Sequence, residues 1–304
     1  MPNTHDTAPA AMPNTRETPA TTKLDERLES KIEQLVALLR SYGRVAIACS
    51  GGVDSSFLTA VCDRHLPDDA MLAHVESAMV PASEARSYAD LLGRVSLPHV
   101  ELAEDPFADA DVVANGPRRC YFCKFTEFGG IIEAARECGY DVVVDGSNAD
   151  DESDYRPGLR ATAELGVRSP LREAGWHKDD ERAVLRAWGW PAADLPSSAC
   201  LASRIPYGEE ITRAKVECVA RSEDYLHELG FRVVRVRLSN WRAGIEVGRE
   251  ERGKLLDADL LDQIDAALRS FGCKDVLVRA RGYSMGSLNA ALDEKTLEKG
   301  RQRG

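Results

Sequence analysis

The stretch that most constrains this chain is Ser50-Gly51-Gly52-Val53-Asp54-Ser55-Ser56. It lies between a short apolar run, Val45 to Cys49, and an apolar-periodic segment, Phe57 to Arg64. That context predicts a strand, a glycine turn and the start of a helix. Two glycines let the backbone turn sharply and approach a ligand closely. The free N–H groups of the new helix and the hydroxyls of Ser50, Ser55 and Ser56 would then face one point, and such a point attracts phosphate. The Lys that ends a Walker loop is absent. An ordinary capped strand-to-helix turn is the structural alternative, but motif and context agree against it.

The rest of the chain alternates in the same way. Leu28, Ile32, Leu35, Leu38, Leu39 and Tyr42 keep helical spacing up to Gly43. Strands are predicted at 71–75, 99–102 and 141–144, with helices at 83–93 and 120–138. Strands alternating with helices imply parallel βαβ units. The expected fold is therefore α/β, a doubly wound parallel sheet with its ligand at the carboxyl ends of the strands. A further helix is predicted at 178–189, where Asp179, Asp180 and Glu181 favour the N-terminus. From Ile211 the pattern changes to helix, strand, strand, helix, strand, which predicts a smaller C-terminal α+β domain. The boundaries are a polar tail over 1–23, a nucleotide domain over 24–196, a cysteine-bearing linker over 197–210 and the appended domain over 211–304. The tail repeats Met-Pro-Asn-Thr at 1–4 and 12–15 and carries no chemistry.

The net charge of −11 argues against a chain that coats nucleic acid or lies on a membrane. It still permits an anionic small substrate, which needs only local positive charge. No apolar run approaches the ~20 residues of a membrane span, and the N-terminus lacks the apolar core of a signal peptide. A cytoplasmic protein is expected. A disulfide framework does not suit such a compartment, so the eight cysteines are not expected to pair with one another. Cys49, Cys62, Cys138, Cys218 and Cys273 lie in or beside apolar segments and read as small buried hydrophobes.

Several clusters are candidates for chemistry. Asp145-Gly146-Ser147-Asn148-Ala149-Asp150-Asp151 follows a strand where the sheet would place its site; Asp150 and Asp151 are candidate Mg²⁺ ligands, or part of a solvated acidic turn. Arg156, in the polar loop 154–160, can hold carboxylate or phosphate bidentately. Ser197 to Gly208 is a polar loop in which Cys200 stands near Ser203 and Arg204; a positive neighbour would lower its thiol pKa and make it reactive. In the first C-terminal strand Val234, Val236 and Leu238 share one face and Arg235 and Arg237 the other. In the next strand Ile245 and Val247 are expected inward and Glu246 outward. The basic face is either an anion clamp or a solvated sheet face. Cys120-Tyr121-Phe122-Cys123 places two sulfurs on one helical turn, and Cys200 makes a third. Three ligands leave a metal or cluster with an open position, where four would close a zinc site. Spacing alone leaves open a metal, a cluster, a redox dithiol or two half-buried thiols.

The Ser50–Ser56 run resembles the SGGxDS loop of the PP-loop ATP pyrophosphatases, adenine nucleotide alpha hydrolase-like enzymes that cleave ATP to AMP and pyrophosphate. Together with 145–151, 154–158, 198–208 and Gly282-Tyr283-Ser284-Met285-Gly286-Ser287-Leu288-Asn289, the motifs resemble the LarE family over nearly the whole chain beyond the tail. The resemblance implies an ATP-dependent sulfur transferase of nickel-pincer nucleotide synthesis. Such an enzyme adenylates a carboxylate of a pyridinium dicarboxylate mononucleotide and converts it to a thiocarboxylate. It implies ATP bound by Ser50, Gly51, Gly52, Asp54, Ser55 and Ser56, with Mg²⁺. It implies substrate phosphate bound around Ser203, Arg204, Arg235, Arg237 and Glu246, and a homo-oligomer, a hexamer in known members. In some members the cysteine matching Cys200 is sacrificed as the sulfur donor. Others have three cysteines, matching Cys120, Cys123 and Cys200, for a four-iron (4Fe-4S) iron–sulfur cluster. This chain has all three. The rival readings are a tRNA thiolase, which the acidic charge disfavours, an amidating synthetase, which lacks an evident ammonia source, and a zinc-stapled nucleotide-binding module without catalysis.

Overall fold

The computed structural model describes residues 23–153, 157–196 and 199–284 of the 304-residue chain. The expectations for residues 1–22, for Arg156, and for the motif residues 154–156, 198 and 285–289 fall outside the described residues.

The first domain is built on a parallel sheet of four strands: β1 (Val45–Ala48), β2 (Ala70–Ser77), β3 (His99–Glu104) and β4 (Val142–Val144), in the order β3-β2-β1-β4. Because strand side chains alternate, Val45, Ile47 and Leu72 face one core and Ala46, Met71 and Ala73 the other. The first core is filled from α1 (Glu26–Tyr42), α2 (Val53–His65), α3 (Ala82–Leu92) and, later in the chain, a helix at Lys178–Ala187. The second is filled by Phe128, Ile131 and Ala135, which lie on a helix at Arg119–Glu137. Helices on both faces of a parallel sheet make the doubly wound arrangement expected from the alternating sequence. The chain runs outward from β1 to β3 and then returns to place β4 on the other side of β1. That reversal creates a switch point at the carboxyl ends of β1 and β4, where the glycine turn and the acidic loop 145–151 both emerge.

α4 (Ala110–Val113) and α5 (Arg119–Glu137) lie between β3 and β4, and α6 (Pro157–Glu164), α7 (Pro170–Glu173) and α8 (Lys178–Ala187) between β4 and the second domain. The second domain contains α9 (Arg213–Glu228), β5 (Val234–Ser239), β6 (Arg242–Val247), α10 (Ala258–Ser270) and β7 (Asp275–Val278). Its sheet is mixed: β5 and β6 are antiparallel, and β6 and β7 are parallel. Its core includes Leu201, Ala202, Ile205 and Ile211 from the cysteine-bearing stretch, together with Met79 and Val112 from the first domain. Burying those side chains fixes the stretch against both domains.

Three expectations change. Cys138 is exposed, because it follows the last residue of α5 and faces away from the core. Glu246 is 3% exposed and Arg235 is 8% exposed, so the polar face of β5 and β6 is buried as well as the apolar one. The covering is visible in the contacts: Arg237 donates to the Ser203 carbonyl at 2.9 Å, and the Arg235 guanidinium lies 4.9 Å from the Tyr283 ring centre.

Candidate active site

The nucleotide loop is shaped by its main chain. Gly51 has φ +83, and a Cβ there would come within 2.7 Å of the Glu84 carbonyl and 2.8 Å of the Tyr88 nitrogen. Glycine alone allows both the left-handed backbone and the close approach of α3. A Cβ on Gly146 would stand 2.9 Å from the Ser55 nitrogen. Its absence lets the acidic loop lie against the first turn of α2. The Ser50 and Ser55 hydroxyls are 3.3 Å apart, and the Gly52 N–H donates to Ser50 Oγ at 3.2 Å. Ser56 does not join them: it is fully buried, and its hydroxyl has no hydrogen-bond partner.

Asp54 sits in the first turn of α2 and faces the acidic loop. Its Oδ1 accepts from Asn148 Nδ2 at 3.2 Å, and its Oδ2 pairs with Lys178 Nζ at 3.1 Å. The same Asn148 amide donates to Glu181 Oε1 at 3.1 Å. Lys178 and Glu181 come from the first turn of α8, so a loop, a strand end and a distant helix meet at one carboxylate. The sequence pattern presents Glu181 as a helix-end charge; its complete burial shows otherwise.

The two carboxylates proposed for Mg²⁺ are engaged elsewhere. Asp150 accepts from His177 Nδ1 at 2.7 Å and from the Lys178 N–H at 2.9 Å, and those two bonds hold its carboxyl below the usual range. Asp151 accepts from the Asn148 N–H at 3.2 Å. As placed, the pair fits loop closure and the start of α8 better than a shared ion.

The sulfur-bearing region is held by side chains. Asn115 has φ 52 and is fully buried; its amide donates to the carbonyls of Ile205, Pro206 and Glu209 at 3.3, 2.8 and 2.9 Å. Arg119, also buried, donates to Asn115 Oδ1 at 2.5 Å, to the Ala202 carbonyl at 3.1 Å and to Cys120 Sγ at 3.7 Å. Together they tie the Cys200 stretch to the start of α5, where Cys120 and Cys123 are half-buried. Through Arg119, the Ala202 carbonyl of the Cys200 stretch and Cys120 Sγ share one guanidinium. Among the described residues no group of three His, Cys, Asp or Glu side chains stands at metal-holding geometry. The donor chemistry suits a soft metal or cluster, and the placement brings the donors near one another without closing a ligand shell.

Cys200 departs from expectation. It is exposed, yet the protein packed around its sulfur pushes the thiol up, and the Arg119 guanidinium only opposes that. Burial and then Cys200 push the Cys123 thiol up as well. The arginine beside Cys200 acts mainly through geometry. Lys124, next to Cys123, senses the Asp145 carboxylate at the nucleotide end of the site.

The residues proposed for anion binding lie near one another and pair within the protein. Arg204 is 1% exposed and forms a two-pronged pair with Glu223, both contacts 2.8 Å. Its remaining nitrogen donates to Ala199 O, Cys200 O and Ser203 Oγ at 2.7, 3.2 and 2.9 Å. Arg204 thus anchors the backbone that carries Cys200. As placed, the guanidinium is enclosed and its donors are used within the protein. Arg237 pairs with Glu246 at 3.1 Å, and Arg279 reaches the other Glu246 oxygen at 3.3 Å. Burial, followed by Arg204, pushes the Arg235 guanidinium down. Glu223, Asn115 and Arg119 carry no motif signal of their own; a buried-polar pattern appears only once the fold brings them together.

No protein-family model matches the chain. An uncharacterized protein of Synechocystis is 37% identical over 268 residues, 87% of this chain and 99% of the relative. The pyridinium-3,5-bisthiocarboxylic acid mononucleotide synthase of Lactiplantibacillus plantarum is 33% identical over 274 residues, 89% of this chain and 98% of the relative. A tRNA-specific 2-thiouridylase of Azorhizobium caulinodans is 26% identical over 225 residues, 60% of this chain and 57% of the relative. A doubly wound sheet with a glycine turn at its switch point, and relatives of these kinds, place the chain among the PP-loop enzymes. Within that class it belongs to the LarE family.

Proposed function

We propose that the protein is an ATP-dependent sulfur transferase acting on a pyridinium dicarboxylate mononucleotide in nickel-pincer nucleotide synthesis. The observation that carries this reading is the tie that Asn115 and Arg119 make between the Cys200 stretch and the start of α5, which bears Cys120 and Cys123, in a chain whose nucleotide loop leads into α2. The main-chain N–H groups of that loop, with Ser50 and Ser55, hold the pyrophosphate portion of ATP, which arrives as its Mg²⁺ complex. A substrate carboxylate oxygen attacks the α-phosphorus, pyrophosphate leaves, and an acyl-adenylate forms. A sulfur nucleophile held at the cysteine region then attacks the acyl carbon and AMP leaves. The substrate phosphate is assigned to Arg237 and Ser203, the half-buried residues at the polar face of β5 and β6; Arg235 and Glu246, both buried, line it behind them, and Arg204 anchors the Cys200 backbone. Arg156 remains a proposed phosphate ligand.

Cys120, Cys123 and Cys200 are the residues that would hold an iron–sulfur cluster. When bound, it would supply sulfide from the position no cysteine occupies. The exposure of Cys200 favours a second source: Cys200 itself. Its sulfur would form a thioester. Loss of the Cα proton with cleavage of the Cβ–S bond would then leave the thiocarboxylate and dehydroalanine. Iron, acid-labile sulfide and the intact mass of the protein after turnover separate the two sources. The same reading includes a cytoplasmic homo-oligomer of the sequence-derived domains. The exposed Leu256, Leu277 and Val278 of the second domain support such a contact. No helix among the described residues is long and apolar enough to cross a membrane.

The test is direct: protein, ATP and pyridinium-3,5-dicarboxylic acid mononucleotide are mixed, and products are identified by mass spectrometry. AMP, pyrophosphate and a thiocarboxylate are expected. AMP and pyrophosphate with no sulfur-containing product under anaerobic, sulfide-replete conditions would rule the sulfur-transfer reading out.

A further inference from the structure

Glu181 is a carboxyl group with no place in the mechanism above, and it is the most enclosed one beside the nucleotide loop. It is fully buried in the first turn of α8. One oxygen, Oε1, accepts from Asn148 Nδ2 at 3.1 Å, while the other, Oε2, is buried without a hydrogen-bond partner. Asn148 donates equally to Asp54 Oδ1 at 3.2 Å, so one amide nitrogen bridges the two carboxyl groups. The cation nearby, Lys178, pairs with the far oxygen of Asp54 at 3.1 Å. Two carboxylates this close, one of them enclosed, cannot both stay ionised at ordinary cost. A proton on Glu181 resolves the conflict: it gives Oε2 a bond to donate and converts repulsion into a hydrogen bond.

We propose that Glu181 is the positioning residue of the nucleotide loop, fixing the Asp54 carboxylate through Asn148 and through a proton held between the two carboxyl groups. The proposal rests on the adenylation reading for its kinetic consequence, but the shared proton stands without it. Burial first, and Asp54 second, push the Glu181 carboxyl up to about 10, in accord with the geometry. A charged residue at this site would leave Asp54 only its side contacts. A neutral hydrogen-bonding group holds it from below while Lys178 holds it from the side. Asp54 is then set at the N-terminus of α2 before nucleotide arrives, and α8 becomes part of the site.

The experiment compares Glu181→Gln with Glu181→Leu. The amide keeps a neutral donor and should support AMP formation within about threefold of the parent, whereas the leucine should lower its rate on the order of 10²-fold with little change in KM for ATP. Difference infrared spectroscopy adds a readout independent of turnover: a protonated-carboxyl band present in the parent at neutral pH and absent from Glu181→Gln. A glutamine variant as slow as the leucine, a folded leucine variant as fast as the parent, or a parent lacking the band would each overturn the proposal. Should no carboxylate substrate prove to be adenylated, the adenylation reading fails, while the infrared comparison still decides the shared proton.

Discussion

The nucleotide loop and the sulfur-bearing region are built by opposite means. The loop is a main-chain structure: Gly51 takes φ +83 against α3, and Gly146 admits the backbone of α2. The sulfur-bearing region is held by buried side chains. Asn115 spans three carbonyls, Arg119 links two segments to Cys120, and Arg204 with Glu223 grips the Cys200 backbone. A main-chain site offers N–H groups that cannot titrate and suits a triphosphate. A side-chain clamp can bring cysteines from distant parts of the chain together while leaving their sulfurs free to react.

The contrast can be broken by experiment. Its largest expected effect is on Glu223→Ala, which strands the 1%-exposed Arg204 without its partner. About 3–5 kcal/mol of destabilisation is expected in urea titration, because a buried guanidinium loses its compensating charge. A loss below ~1 kcal/mol would show that solvent reaches Arg204 and that the clamp is weaker than its geometry implies. Next, Gly51→Ala should cost about 1–3 kcal/mol from backbone strain alone. It should also abolish ATP-dependent AMP formation while leaving alkylation of Cys200 unchanged; slower alkylation would mean that the two regions are not independently built. The smallest effect is expected from Asp150→Asn. Because partners hold the Asp150 carboxyl low, its contribution is present above the unfolded pKa and fades as pH falls through the folded one. With its side chain 50% exposed, the loss at pH 7 should stay within about 1 kcal/mol and vanish in acid. A collapse of Mg²⁺-dependent turnover in this variant would instead restore Asp150 as a metal ligand.

The same contrast explains what the sequence revealed. Glycine turns, helix periods and strand alternation are local, so the loop, the parallel sheet and the helix–strand–strand–helix–strand order of the second domain were legible. Long-range burial was not. Arg235 and Glu246 alternate with apolar residues as they would on a solvated face, and nothing nearby announces that the Leu201–Arg204 turn and Tyr283 cover that face. Arg204 stands in the same loop as Cys200, which invites a phosphate-binding reading; its partner Glu223 lies on α9, and nothing in the local sequence announces the pair. Glu181 looks like one of three helix-end acids until the fold encloses it against Asn148.

The most direct test is Cys200→Ala assayed for both half-reactions in one tube, with ATP and pyridinium-3,5-dicarboxylic acid mononucleotide. Two independently built regions predict that pyrophosphate is still released and the acyl-adenylate still forms at a rate close to the parent, while thiocarboxylate disappears. Thiocarboxylate persisting in Cys200→Ala, or pyrophosphate release lost with it, would contradict the account.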